Sequence, residues 1–379
     1  SEMDTVIEDT FRELHLNGKR VLVIIPDGTR SMPMPLMFGL FEKHLSGKVQ
    51  ALDYLVALGT HQPMTDEQLS AHMGRQVTAG KAGSSRITNH MWQNADTFEL
   101  IGIISAEEIS LLTEGRMRED VPVRLNKLIH QYDRLIICGP VFPHEVVGFS
   151  GGNKYFFPGI AGDEIINFTH WLGALITSSE IIGAGYTPVR AVIDRAAAFI
   201  SKPVLCISLV VTHAGVAGLF SGSAEESWQA AVGLSARQHI TYVDKPYQKV
   251  ISVMPSLYDD LWTAAKGMYK MEPVIADGGE VVIYAPHINE VSYTHGKLID
   301  QIGYHCRDFF VKQWERYKEY PHGVLAHSTH LNGQGTYDPV TDIEEHRIKV
   351  TLATGISEAR CKKIGLGYLD PNKIDLDDF

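Results

Sequence analysis

The feature that most constrains the fold is an alternation between short apolar runs rich in Val, Ile and Leu and longer amphipathic stretches. A strand buried on both faces is a nearly continuous apolar run, and its parallel neighbour is reached through a crossover, usually a helix. The predicted strands are Arg20 to Pro26, Val49 to Leu58, Arg134 to Cys138, Val204 to Thr212, Lys249 to Met254 and Val281 to Ala285. The predicted helices are Pro35 to His44, Thr65 to His72, Val121 to Gln131, Ala161 to Leu172, Ala224 to His239 and Leu257 to Met268. The pattern predicts an α/β protein with mainly parallel sheets.

The length of the chain predicts more than one domain. Its 379 residues exceed the roughly 250 to 300 at which a single hydrophobic core stops growing. A polar stretch with a proline, Asp244 to Pro246, interrupts the pattern, and a new strand and helix follow it. We therefore expect two α/β domains, 1–245 and 246–379, with a ligand cleft between them.

Composition and charge exclude several classes of protein. Lys and Arg total 34 against 45 Asp and Glu, a net charge of -11, and no basic run could follow a phosphate backbone. No apolar run reaches the roughly 18 residues of a membrane span. The four cysteines are far apart in the sequence, which is typical of free thiols in a reducing compartment. The sequence predicts a cytoplasmic protein without a nucleic-acid or membrane partner.

Polar residues follow three of the predicted strands. The strand at 20–26 is followed by Asp27 to Arg30, the strand at 49–58 by Gly59 to His61, and the strand at 134–138 by Gly139 to His144. Ligands of open α/β sheets bind beyond the carboxyl ends of the strands, so these groups are expected at one edge. For any single loop, a turn that satisfies its own backbone is an equally good explanation, and a lone histidine is more often structural. Three loops together favour a site in which His61 and His144 act as acid/base groups, because an imidazole titrates near neutral pH.

A glycine-rich stretch follows the third of these loops. Gly151 and Gly152 precede Lys154, and paired glycines let backbone donors approach an anion closely. The next predicted helix carries His170. Taken alone, the residue types favour a surface lysine and a core histidine, and only the neighbouring motifs favour a functional interpretation.

Better-known nucleotide and metal motifs are missing from the sequence. No GxGxxG follows a strand, no HExxH occurs, and the nearest approach to a P-loop ends in Gly80-Lys81-Ala82, with wrong spacing and no Ser or Thr for magnesium. A nicotinamide dehydrogenase or a phosphoryl-transfer enzyme therefore gains little support.

Three motifs together resemble the nickel-pincer-nucleotide-dependent lactate racemase family. They are DGTR at 27–30, GTH at 59–61 and PHEVVGFSGGNKYFFPGIAG at 143–162. The third is long and specific, and the family spacing of His, Lys ten residues on and His sixteen further on recurs as His144, Lys154 and His170. The resemblance covers most of the chain and weakens beyond about residue 290.

The resemblance implies a racemase or epimerase of a small-molecule 2-hydroxy acid. Its cofactor would be the nickel-pincer nucleotide, pyridinium-3-thioamide-5-thiocarboxylic acid mononucleotide with nickel, made by separate cofactor-synthesis enzymes. Lys154 would tether it through a thioamide, and His170 would complete the square-planar nickel site. The reaction would be reversible hydride transfer, with His61 and His144 exchanging the hydroxyl proton.

The remaining implied roles concern cofactor and substrate binding. Asp27, Arg30, Ser150, Gly151 and Gly152 would contact the cofactor. The substrate carboxylate would be held by Arg30 and by Lys266, with Thr263 on the same helix face. The C-terminal domain would close the cleft over both molecules.

Departures from the family pattern concern the substrate. Gln62 stands where many members carry Arg, Thr263 stands where the lactate enzymes carry Gln, and residues 80–92 form an added segment without an assigned role. Beyond residue 286 the chain is rich in hydrogen-bonding groups, namely His287, His295, His322, His327, His330, Asn332 and Gln334. About half of these are expected on the surface. The others are compatible with a longer polar substrate, either an aldonate or a dicarboxylic hydroxy acid.

Two hypotheses from other classes stay open. A metal-dependent lyase or hydrolase would use His327 and His330 as direct ligands, although HxxH is a weak signal. A binding protein without catalysis is disfavoured because Lys154, His170, His61 and His144 are all present.

Overall fold

The computed structural model describes residues 2–378, without the side chain of Asp378. The α-helices are α1 Glu2–Glu13, α2 Met34–Leu45, α3 Asp66–Met73, α4 Ala106–Leu112, α5 Asp163–Ile176, α6 Ser178–Ile181, α7 Pro188–Ala197, α8 Ala224–His239, α9 Leu261–Ala264, α10 Lys266–Tyr269, α11 Gly296–Ile302, α12 Arg307–Lys312, α13 Trp314–Tyr317, α14 His322–Asn332 and α15 Glu358–Lys363. None of the helices in these residues is long and apolar enough to cross a membrane.

The strands, in chain order, are β1 Arg20–Pro26, β2 Ala51–Ala57, β3 Lys81–Ala82, β4 Ser85–Asn89, β5 Phe98–Ile104, β6 Val121–Asn126, β7 Arg134–Pro140, β8 Pro143–His144, β9 Gly148–Phe149, β10 Val204–Thr212, β11 Gly215–Gly222, β12 Tyr247–Val253, β13 Ile275–Ala285, β14 Gly335–Asp338, β15 Ile343–His346, β16 Lys349–Thr354 and β17 Gly367–Tyr368. The predicted strands at 20–26 and 204–212 and the predicted helix at 224–239 are confirmed to the residue.

The chain divides into two compact units. The first comprises residues up to 143, 149–166 and 190–240, and the second comprises 144–148, 167–189 and residues from 241 onwards. Each unit is therefore built from segments that are not contiguous in sequence. The single boundary at 245 stays a prediction.

The first unit is built on a seven-stranded sheet in the order β11-β10-β7-β1-β2-β4-β3. The neighbours from β10 to β4 are parallel, and the edge strands β11 and β3 pair antiparallel. Val21, Val23 and Ile25 on β1 are fully buried, because apolar residues from α1 and α2, including Phe11 and Phe41, pack in the same core. The predicted α/β class with mainly parallel sheets is confirmed.

The order of the central strands positions the candidate site. From β1 the chain continues to β2 and β4 on one side, whereas β7 and β10 lie on the other side. Loops that leave adjacent strands in opposite directions open a crevice at the carboxyl ends, and ligands of doubly wound sheets bind there. The loops after β1, β2 and β7 are the three that the sequence singled out.

The second unit carries its own parallel sheet, in the order β12-β13-β16-β17. The centre of that sheet is apolar, with Val281, Val282 and Ile283 fully buried on β13. Helix α14 is buried from Val324 to Asn332, including its polar side chains.

Two predicted helices are wrong. Residues 121–131 form strand β6 and a 3₁₀ turn, because β6 pairs antiparallel with β5 and its burial alternates as in a half-buried strand. The helix predicted from Leu257 with Ser256 as its cap begins instead at Leu261, where Asp260 accepts a hydrogen bond from the Thr263 amide. It is also interrupted at Ala265, which separates α9 from α10.

The predicted free thiols are confirmed. All four cysteines, Cys138, Cys206, Cys306 and Cys361, are buried and form no disulfide among the described residues.

Candidate active site

In the first unit, Asp27 and His61 form a hydrogen-bonded pair. The Nδ1 atom of His61 lies 2.5 Å from Oδ2 of Asp27. A carboxylate can only accept, so Nδ1 carries the proton in this bond and Nε2 of a neutral His61 keeps its lone pair. The Asp27 side chain is 7% exposed and that of His61 is 27% exposed. The pair thus fixes one tautomer of an imidazole that solvent or a ligand can reach.

The loop after β1 holds the carboxylate of Asp27 in its charged form. Thr29 donates to Oδ1 from its amide at 3.0 Å and from its hydroxyl at 2.6 Å, and Arg30 donates to the Thr29 hydroxyl at 2.7 Å. Burial alone would raise the pKa of Asp27, but the charge and hydrogen bond of His61, the charge of Arg30 and the Thr29 bond outweigh it and hold that pKa well below its usual range. Asp27 is therefore an anion beside His61 at neutral pH.

The segment 80–92, to which the sequence assigned no role, supports the His61 loop. Strand β4 pairs in parallel with β2, and the indole of Trp92 donates to the carbonyl of His61 at 2.8 Å. Asn89 makes two hydrogen bonds with the backbone of Met64, at 3.1 and 2.8 Å. These contacts hold the chain before His61, at β2, and after it, at Met64. No sequence motif predicted them.

The glycine-rich loop is held by buried side chains of the first unit. The guanidinium of Arg190, 1% exposed, donates to the carbonyls of Phe149 at 2.6 Å and Gly151 at 3.1 Å. Its carbon atom lies 4.3 Å from the centroid of the Trp228 ring, whose nitrogen donates to the Ser150 carbonyl at 2.9 Å. The sequence missed Arg190 and Trp228, since both lie more than thirty residues beyond Lys154.

Ser150 has a structural role in that loop. Its hydroxyl donates to the Pro140 carbonyl at 3.0 Å and accepts from the Phe142 amide at 3.0 Å. Its role in cofactor binding stays a prediction.

Lys154 lies in a 3₁₀ turn, Gly152–Tyr155, at the end of this loop. It is half-buried, whereas its neighbours Asn153 and Tyr155 are buried. The side-chain amide of Asn153 donates to Asp194 at 3.0 Å and to Glu225 at 2.8 Å. These bonds connect the turn to helices α7 and α8. The side chain of Lys154 thus starts from a turn that two helices hold in place.

Gly151 should be intolerant of substitution for backbone reasons. Its φ is +85°, and a Cβ atom would lie 2.5 Å from Cγ2 of Val141. We expect Gly151→Ala to lower the free energy of unfolding by about 1 to 3 kcal/mol in urea titrations. Gly233→Ala is the matched control, because Gly233 lies in α8 with nothing within 4 Å of its added Cβ. It should be neutral or stabilising by up to about 1 kcal/mol, and equal losses in both variants would contradict the strain argument.

In the second unit, His144 is buried next to a carboxylate. The amide of Val146 lies 3.2 Å from Nδ1 of His144, and Oε2 of Glu145 also lies 3.2 Å from that atom. The Val146 contact suits a neutral ring with its proton on Nε2, whereas the Glu145 contact suits a protonated ring. Burial would raise the pKa of Glu145, but the charges of His144 and Lys266 hold it well below its usual range. Glu145 can thus stabilise the charged form of His144.

Lys266 and Thr263 belong to the second unit as well. The ammonium of Lys266 donates to the Thr263 carbonyl at 3.2 Å and lies 4.9 Å from the centroid of the Tyr258 ring. The Thr263 hydroxyl donates within the cap of α9, to the carbonyl or the carboxylate of Asp260. The Thr263 side chain therefore forms hydrogen bonds within its own helix cap. Its contact with substrate stays a prediction.

His170 lies on α5 and is half-buried. It interacts electrostatically with His330 of α14, which in turn interacts with Glu145. In the second unit, His144 and His330 therefore both interact with the carboxylate of Glu145, and His170 interacts with His330.

The candidate residues divide between the two units. Those in the first unit are Asp27, Arg30, His61, Ser150, Gly151, Gly152 and Lys154, and those in the second are His144, His170, Thr263 and Lys266. Among residues 2–378, no group of three or more His, Cys, Asp or Glu side chains is arranged to hold a metal ion. The hypothesis of a lyase with a metal held by His327 and His330 gains no support from the geometry, whereas a nickel site with one protein ligand does not require such a group.

Comparisons with known proteins agree with the motifs. Residues 3–183 match the family described as the lactate racemase N-terminal domain. The lactate racemase of Thermoanaerobacterium thermosaccharolyticum is 25% identical over 291 residues, and that of Lactiplantibacillus plantarum is 24% identical over 282 residues. Each match covers 73% of this chain but 62% of the relative, so under two thirds of either enzyme's length is represented.

Two solved structures share the fold. A protein from Thermotoga maritima superposes with a TM-score of 0.91 at 31% identity, over 99% of this chain and 94% of that one. The lactate racemase apoprotein from Thermoanaerobacterium thermosaccharolyticum gives a TM-score of 0.71 at 20% identity, over 96% of this chain and 85% of that one. The second likeness concerns the fold alone.

The fold and the paired side chains define an α/β protein that presents histidine–carboxylate pairs and a lysine on a glycine-rich loop. Its residues 3–183 are similar to the lactate racemase N-terminal domain, and the chain is similar to two lactate racemases.

Proposed function

We propose that this protein inverts the configuration at C2 of a 2-hydroxy acid, as a racemase or epimerase that uses a lysine-tethered nickel-pincer nucleotide. The observation that carries the proposal is the 2.5 Å bond between Asp27 and His61 at the carboxyl end of the sheet, in a chain whose residues 3–183 match the lactate racemase N-terminal domain. A small-molecule 2-hydroxy acid and the cofactor-synthesis enzymes are the partners that this activity requires.

Inversion by hydride transfer requires that the C2 hydrogen leave as hydride while the hydroxyl proton is taken from one enantiomer, and that hydride and a proton return to form the other enantiomer. When bound, the cofactor supplies a hydride acceptor and donor for the C2 hydrogen. His61 takes the proton at Nε2, the atom that its bond to Asp27 leaves with a lone pair. His144 serves the opposite hand. Each histidine has a carboxylate at Nδ1, Asp27 or Glu145, to stabilise the imidazolium that forms.

The residues present fit the cofactor. Lys154 offers one primary amine on a turn fixed by Asn153, and His170 offers one imidazole, which is the donor set that a covalent tether and a single metal ligand require. Arg30, held beside Asp27, offers a planar cation for a phosphate or a carboxylate. Lys266 supplies a second cation for the substrate carboxylate.

The test is production of the protein together with the cofactor-synthesis enzymes. Intact mass should show a covalent adduct, metal analysis should show nickel, and chiral chromatography should show interconversion of D- and L-lactate or of another 2-hydroxy acid. A loaded protein that interconverts no 2-hydroxy acid would contradict the proposal.

His170→Ala should separate the metal from the tether. Loss of the imidazole removes one nickel ligand and no covalent bond, so we expect nickel content to fall by about ten-fold or more while the mass adduct persists. His287→Ala is the control, because His287 is an exposed histidine of the same unit. Equal nickel in both variants would mean that another residue is the ligand.

A further inference from the structure

Helix α14 of the second unit buries two histidines, His327 and His330, which the proposed mechanism does not use. They are 9% and 5% exposed and lie three residues apart, on one face of the helix. Nδ1 of His327 and Nε2 of His330 are buried and have no hydrogen-bond partner among residues 2–378. Buried polar atoms are nearly always paired, so two such atoms on one helix face indicate a missing ligand.

The contacts of His327 determine what its unpaired nitrogen atom, Nδ1, can bind. Its Nε2 lies 3.1 Å from the Trp262 carbonyl, and its ring stacks on that indole with centroids 3.7 Å apart and an angle of 3°. A carbonyl only accepts, so Nε2 carries the proton. Burial outweighs the bond to Trp262, which raises the pKa of His327, and with the smaller effect of neighbouring charges it lowers that pKa to about 3. The ring is therefore neutral, and Nδ1 is an acceptor that requires a donor.

The contacts of His330, unlike those of His327, do not fix which ring nitrogen carries the proton. Its Nδ1 bonds the hydroxyl of Ser178, which can either donate or accept. Its Nε2 can accordingly take either role. A hydroxyl group, which both donates and accepts, satisfies His327 and His330, whereas a carboxylate cannot donate to His327.

The two open nitrogen atoms belong to the same group of side chains as the proposed catalytic residues of this unit. His327 interacts electrostatically with Lys266, and His330 interacts with Glu145, which itself interacts with His144 and Lys266. Glu145 is anionic, so a second substrate carboxylate near this group would be repelled. The methyl group of lactate would leave both imidazoles unpaired.

We infer that the substrate is a polyhydroxylated 2-hydroxy acid of the aldonate type, whose further hydroxyl groups bind His327 and His330. The inference rests on the proposed function and deepens it, because it selects among the substrates of that reaction. A substrate with further stereocentres changes configuration at C2 alone, so the enzyme is an epimerase. Of the two longer polar substrates that the sequence allowed, the geometry favours the aldonate over the dicarboxylic acid.

The test compares substrates on the holoenzyme with a verified adduct and nickel. D- and L-lactate, D- and L-malate, and the C2-epimeric pair gluconate and mannonate are assayed for kcat/KM. We expect the aldonates to exceed lactate and malate by about 100-fold or more, since a site built to bind a hydroxyl rejects analogues that lack it. Calorimetry on the cofactor-free protein gives a second readout, in which gluconate should bind and lactate and malate should not.

Variants of His327 assign the effect. His327→Phe keeps a ring to stack on Trp262 but removes the acceptor, and should lower kcat/KM for aldonates by about 10- to 100-fold while lactate changes by less than about three-fold. His327→Gln, whose amide can both donate to Trp262 and accept, should recover part of the loss and covers a failure of the Phe variant to fold. His213→Phe, at an exposed site of the first unit, should leave kcat/KM for both kinds of substrate unchanged.

The outcomes separate the two claims. Racemisation of lactate or malate at a higher kcat/KM than epimerisation of the aldonates would overturn the inference and leave the proposed function intact. Turnover of no 2-hydroxy acid by loaded protein would overturn the proposed function. In that case calorimetry decides the ligand class, and binding of lactate or malate in preference to gluconate would overturn the inference also.

Discussion

Replacing Lys154 by alanine should abolish both the covalent adduct and the activity. No other side chain in the 152–155 turn is an amine, so the cofactor would have no tether and the reaction no hydride acceptor. We expect a loss of at least about 10³-fold in kcat/KM, to the level of background. Intact mass and chiral chromatography measure the two effects.

Two further variants make that result specific. Lys154→Arg keeps the positive charge but offers no amine for a thioamide, so it should lose the adduct as completely as Lys154→Ala. Lys127→Ala, at an exposed lysine of the same unit, should keep the adduct. An adduct that persists in Lys154→Ala would show that the tether is elsewhere.

Removing either proposed acid/base should stop interconversion in both directions. Every inversion needs one histidine to take the hydroxyl proton and the other to return one, so His61→Ala and His144→Ala should each cost about 10² to 10⁴ in rate, or about 3 to 5 kcal/mol of barrier. The adduct and the nickel should survive. The rates in both directions are followed by chiral chromatography on the loaded proteins.

The histidine variants need a matched control and a probe of orientation. His213→Ala, at an exposed histidine of the first unit, should retain the parental rate. Asp27→Asn should lower kcat while the adduct persists, because an amide no longer fixes the proton on Nδ1 of His61. A near-parental rate for His61→Ala or His144→Ala with both enantiomers would make that histidine structural and the two-base mechanism wrong.

Much of the first unit followed from sequence because local pattern and topology agree there. Continuous apolar runs predicted β1 and β10, and the rule for carboxyl ends placed the loops with Asp27 and His61 at one edge. The bond between these two side chains could not be predicted, because it depends on side-chain rotamers and on how Trp92 fixes the His61 loop. Residues 121–131 show the same limit, since pairing of β6 with β5 decided their structure.

The second unit was less predictable for a different reason. Segments 144–148 and 167–189 belong to it although they interrupt the first unit in sequence, and no local signal marks such an exchange. Glu145 was predictable from sequence, because it is a carboxylate adjacent to a candidate base. His327 and His330 were visible as an HxxH pair, but only the structure shows that they are buried with unpaired nitrogen atoms and that no group of three metal-ligating side chains forms among residues 2–378.

In the proposed mechanism the C2 hydrogen leaves and returns as hydride, and an isotope label at C2 distinguishes this route from proton abstraction. The loaded enzyme is given one stereoisomer of its 2-hydroxy acid, deuterated at C2, in ordinary water, and the product of opposite configuration is analysed by mass spectrometry. Hydride does not exchange with water, so the account predicts that the product retains its deuterium. A product that carries solvent hydrogen at C2 would show proton abstraction from carbon and contradict the account.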